Sequence, residues 1–63
     1  MKHILFVEGI KTEEDVNKIK AVLENTRAEF TVSLISSSVT IVGSNDVLNA
    51  CKSAITNIGF VIL

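Results

Sequence analysis

The spacing of apolar residues changes from strand-like to helical and back twice within 63 residues, and that order leaves few folds open. Ile4 to Val7 is a short run of branched and aromatic side chains closed by Gly9, which reads as a strand. After it, Val16, Ile19, Val22 and Leu23 recur at helical spacing. Thr12 stands where its hydroxyl can cap that helix, and Glu13, Glu14 and Asp15 fill the first turn, where the helix dipole favours anions. The helix is expected to end near Asn25-Thr26. Phe30, Val32 and Leu34 then alternate with Glu29, Thr31 and Ser33, a two-residue period that gives one face to a core and the other to solvent. Ser36-Ser37-Ser38 supplies a turn, and Val39-Thr40-Ile41-Val42 pairs back as a hairpin that closes at Gly43. Ser44 or Asn45 caps a second helix with an apolar stripe of Val47, Leu48, Cys51, Ala54, Ile55 and Ile58. Gly59 ends it by tolerating a left-handed backbone, and Phe60 to Leu63 forms a last strand.

The order βαββαβ predicts an α+β, ferredoxin-like sandwich, with a four-stranded antiparallel sheet and two helices on one of its faces. Nothing in residues 1–63 reads as a linker, a repeat or a second domain, so a single domain is expected. With strand order 4-1-3-2, Leu5, Val7, Phe30, Val32, Leu34, Val39, Ile41 and Phe60 face the helices. Ile4, Phe6, Val42 and Val61 then lie on the open face, where polar side chains would normally meet water. An apolar patch of this kind marks an interface, and self-association into a homo-oligomer is expected through it.

Charge and sulfur narrow the function. Six Lys and Arg against seven Asp and Glu give a net charge of −1, without the basic field that selects nucleic acid. The single cysteine, Cys51, cannot build a disulfide framework or a multi-thiolate metal site within one chain, and it suits the reducing cytoplasm. Its place in the apolar stripe reads as a buried small hydrophobe. Glu8 interrupts the first apolar run after four residues, too soon for a secretory segment or a membrane insertion. An enzyme is not expected: the serine cluster of the hairpin turn has no histidine base placed near it, and there is no glycine-rich phosphate loop.

Strand, Gly9-Ile10, helix, hairpin, helix and Gly59-Phe60 together resemble the heavy-metal-associated domain of copper chaperones and metal-transporting P-type ATPases. Members of that family read Gly-Met-x-Cys-x-x-Cys with an apolar residue four places later. Gly9-Ile10-Lys11-Thr12-Glu13-Glu14-Asp15 followed by Ile19 fits in register, and the family's Gly-Tyr falls on Gly59-Phe60. On this resemblance the metal-binding cysteine positions are Thr12 and Asp15, and Ile10 takes the methionine position. The resemblance implies a metallochaperone-like protein near metal transport, and its partner would be a protein such as a metal-transporting P-type ATPase or a related domain.

The residues at those positions argue against copper. Cu(I) selects thiolates and thioethers; a threonine hydroxyl is a poor ligand, and one carboxylate suits hard ions. No cofactor is therefore expected, and Thr12-x-x-Asp15 reads more readily as a capping box. The alternative is weak binding of Zn²⁺, Mg²⁺ or Ca²⁺ by Glu8, Glu13 and Asp15. His3, near the far end of the first strand, is expected at an edge or in solvent rather than at that site. Four acids against Lys11 give residues 8 to 15 a net charge of −3. This acidic corner, with Ile10, Lys11, Glu13, Glu14 and Asp15, is either a solvated capping turn or a docking surface for a basic protein partner.

Overall fold

The computed structural model describes residues 1–63. Its elements are β1 (Lys2–Glu8), α1 (Glu13–Leu23), a single 3₁₀ turn (Glu24–Thr26), β2 (Glu29–Ser33), β3 (Ser38–Val42), α2 (Asn45–Asn57) and β4 (Val61–Ile62). The sheet order is β2-β3-β1-β4 and all three strand pairs are antiparallel, as the ferredoxin-like reading requires. β1 runs longer than its apolar core suggested because β3 pairs with it along most of its length, from Lys2 opposite Val42 to Phe6 opposite Ser38.

Both helices start on a hydroxyl. Thr12 holds an extended backbone and its Oγ1 accepts the Asp15 amide at 3.3 Å, while Ser44 Oγ accepts the Val47 amide at 3.4 Å. These bonds satisfy amides that the first helical turn would otherwise leave without partners. α1 continues through the 3₁₀ turn and stops at Arg27, a non-glycine residue in the left-handed region at φ 63°. α2 stops at Ile58, whose backbone has already left helical geometry. Ile58 was expected to extend the buried stripe, but it points partly into solvent because the stripe ends with the helix, at Ile55.

The core lies between the helices and one sheet face. Leu5, Val7, Val39 and Ile41 meet Val16, Ile19 and Leu23 of α1 and Cys51 and Ile55 of α2, with Ile10 closing one end. Phe30, Val32, Leu34, Phe60 and Ile62 pack at its margin. Cys51 is fully buried, with Thr26 Oγ1 3.5 Å from its sulfur. The opposite face holds the predicted exposed set: Ile4 is 56%, Phe6 55%, Val42 41% and Val61 54% exposed, joined by Leu63 at 79%.

Of the two places expected for His3, the edge holds and solvent does not. It lies opposite Ile41, with no strand on its other side because β4 pairs only with Val7 and Glu8, and it shares the helix-facing parity of Leu5 and Val7, so its ring turns inward and is part-buried. Its Nε2 is enclosed without a hydrogen-bond partner. A buried polar atom in that state costs about 1–3 kcal/mol of desolvation. His3→Leu is therefore expected to stabilise the fold by about 1 kcal/mol, read as a higher urea midpoint with an unchanged slope.

Candidate functional site

The loop joining β1 to α1 is shaped by two residues that take no part in capping. Gly9 adopts φ +104°, a region that penalises any side chain, and a Cβ there would come within 3.3 Å of the Phe60 ring. Ile10 follows, buried against the core, and pins the loop from below. The hairpin between β2 and β3 fastens the same loop from the side: the Ser37 carbonyl accepts the Val7 amide at 2.8 Å, and Ser37 Oγ donates to the Ile10 carbonyl at 3.4 Å. Ser37 makes these bonds from a left-handed backbone, φ 50°, a conformation that costs a non-glycine residue on the order of 1 kcal/mol. The neighbouring serines form a short chain, with Ser36 Oγ donating to Ser33 Oγ at 2.8 Å and lying 2.9 Å from Ser38 Oγ.

On this frame Thr12 and Asp15 close a reciprocal capping box. Asp15 Oδ2 accepts the Lys11 amide at 3.0 Å, the Thr12 amide at 3.2 Å and the Thr12 hydroxyl at 3.3 Å. The Lys11 amide is the main reason that the Asp15 carboxyl titrates below the usual range. Slight desolvation opposes it, while the Thr12 amide and hydroxyl and the charge of Lys18 reinforce it. A carboxyl with its folded pKa lowered contributes stability that is fully present above its unfolded value, about 3.9. That contribution is lost as pH falls through the lower folded value. Asp15→Asn is thus expected to flatten the acid limb of the stability–pH curve below about pH 4, with little change in its slope near neutrality. Urea unfolding across that range measures it.

The remaining residues of the corner, Lys11, Glu13 and Glu14, are exposed. Beside them a hollow of about 360 Å³ is lined by Phe6, Gly9, Ile10, Lys11, Ser36 and Ser37, among others. The serine turn fastens the loop as well as joining the hairpin, and its Ser37 contact with Ile10 spans 27 positions, beyond any local sequence signal. The three acids of the hard-metal alternative do not converge. Strand parity sends Glu8 to the open sheet face with Ile4 and Phe6, whereas Glu13 and Asp15 ride on α1 on the other side. No group of three His, Cys, Asp or Glu side chains comes together anywhere in the fold.

No family model matches the chain, and no curated protein matches it. Solved structures do. The CopZ metallochaperone superposes with a TM-score of 0.86 at 21% identity over all of both chains. A heavy metal binding protein from Thermotoga maritima gives 0.87 at 21% identity, covering 98% of this chain and 91% of that one. A copper binding domain from a P-type ATPase gives 0.80 at 24%, covering 98% and 92%. The fold is the heavy-metal-associated fold. Within it, the β1–α1 loop of this chain carries oxygen groups already bonded to one another and to the loop's own amides. No helix is long and apolar enough to cross a membrane.

Proposed function

We propose that this chain is a metal-transport-related interaction domain that does not take Cu(I) as cargo at its first loop. In this reading Thr12 and Asp15 occupy the places of the family's two cysteines, and the capping box they form carries the proposal. Two sulfurs could release Cu(I) by ligand exchange; here the hydroxyl and carboxylate would have to give up the bonds that hold the helix start in order to meet any ion.

What the corner offers instead is fixed charge beside an apolar recess. Glu13 and Glu14 are exposed in the first turn of α1, after a loop held by Ile10, Ser37 and the cap, and Lys11 of that loop lines the hollow between Phe6 and Ile10. A basic protein surface with one protruding apolar side chain fits that arrangement, with steering by the acids and the recess fixing the register. The partner class this reading takes is a metal-transporting P-type ATPase or a related soluble domain, supported by the likeness to a copper binding domain of such an ATPase. The reading is tested by following backbone amide signals during two titrations. Cu(I) presented in a competing chelator is expected to leave residues 9 to 15 unmoved, while a copper binding ATPase domain shifts them, less so as ionic strength rises. Tight Cu(I) binding centred on those residues, or partner binding that survives Glu13→Lys together with Glu14→Lys, overturns it.

A further inference from the structure

We infer that the open sheet face is the contact between two copies of this chain, packed face to face about a twofold axis that crosses β1 between Ile4 and Phe6. This surface shares Phe6, Glu8 and Leu63 with the hollow beside the acidic corner, but the association of two copies is read in the absence of any other partner. Along β1 the outward residues read Lys2, Ile4, Phe6, Glu8: opposite charges at the two ends and large apolar side chains between them. A twofold axis lying between two sheets and perpendicular to β1 reverses the strand, so Lys2 meets Glu8 of the second copy and Ile4 meets its Phe6, each contact occurring twice. The other in-plane orientation, with the axis along β1, sets Lys2 on Lys2 and Glu8 on Glu8. Charge therefore selects one of the two arrangements.

The apolar surface extends to either side of that centre. Val42 lies beside Lys2 and Val61 beside Glu8, so the exposed apolar residues form a band that crosses the sheet diagonally through Ile4 and Phe6. Leu63 widens it at Phe6, whose carbonyl accepts the Leu63 amide at 2.8 Å. The axis keeps each strand on its own side of β1, so the two bands cross at Ile4 and Phe6, and Val42 and Val61 of the two copies lie apart at the margins of the contact. Glu29, Thr31 and Ser33 of β2 stay outside the band as a polar rim. The contact is centred on Ile4 and Phe6 and is small for a specific interface. The dimer is therefore weak and reversible.

Sedimentation velocity and light scattering on the full chain, from about 10 µM to about 1 mM, span the range that such an interface demands. The mass is expected to rise toward twice the monomer value, and Phe6→Lys to hold it at the monomer throughout. Lys2→Glu and Glu8→Lys should each weaken association about fivefold or more. Mixed in equal amounts, those two variants should associate more tightly than either alone, and the double exchange should restore the original behaviour. Circular dichroism confirms that each variant is folded. A wild-type chain that stays monomeric over the whole range, or association indifferent to the charge exchanges, overturns the proposal.

Discussion

Thr12→Cys combined with Asp15→Cys is expected to produce a Cu(I)-binding chain, with affinity rising by on the order of 10⁴-fold or more, since thiolate metal sites reach free energies of about 10 kcal/mol and above. The backbone needed for this is set by residues the substitution leaves alone. Gly9 keeps its positive φ, Ile10 stays in the core, and Ser37 still holds the Ile10 carbonyl. Both new sulfurs would sit at a helix N-terminus, where the dipole lowers a thiol's pKa and favours the thiolate that copper requires. Cys51 is fully buried in the core and cannot compete for the ion. Without metal the variant should be less stable than the parent, because losing the Thr12 cap alone costs about 1 kcal/mol; with copper bound, that loss should be more than recovered. Competition against a Cu(I) chelator measures the affinity and urea unfolding measures the stability. A folded double variant that leaves copper with the chelator would show that the loop geometry, and not only its ligands, differs from that of the metal-binding domains with this fold.

Much of this site was open to reading before any coordinates, because its decisive bonds are local. A capping box spans three residues, and the Thr12 to Asp15 spacing with two further acids in the turn states it in sequence. Ile10 takes the methionine position on the resemblance, and its burial follows from its own chemistry: an aliphatic residue after a glycine, in an otherwise polar loop, has little to gain from solvent. What sequence concealed is long-range. Nothing near Ser37 says that its hydroxyl donates to a carbonyl 27 positions earlier, since that contact exists only after β3 has paired with β1. His3 is instructive. It sits at an edge, as one of its two expected places required, yet it shares parity with Leu5 and Val7 and is part-buried, because alternation along a strand is a stronger constraint than the preference of one polar side chain for solvent. The same parity argument, applied to Ile4 and Phe6, placed the exposed apolar band correctly.

The second large effect concerns the layer that holds the loop in place. Ile19 has no exposed surface and sits on α1 one turn after Asp15, between the cap and the centre of the core. Ile19→Ala is expected to cost about 2–5 kcal/mol, the lost transfer of the side chain plus the cavity it leaves. The better helix propensity of alanine returns only about 0.4 kcal/mol. A fold of this length has roughly 3–9 kcal/mol to lose, at about 0.05–0.15 kcal/mol per residue. The variant should therefore unfold at a small fraction of the parent's urea midpoint, or be partly unfolded in buffer. Ile19→Val, which removes one methylene and keeps the branched shape, should cost only about 0.5–1.5 kcal/mol. The contrast separates packing from propensity: were helix formation rather than burial what limits this fold, alanine would be the milder change. Because the charged corner and the capping box are anchored by the helix that Ile19 holds to the sheet, the amide signals of residues 9 to 15 should broaden or collapse in the alanine variant together with the global transition, not before it.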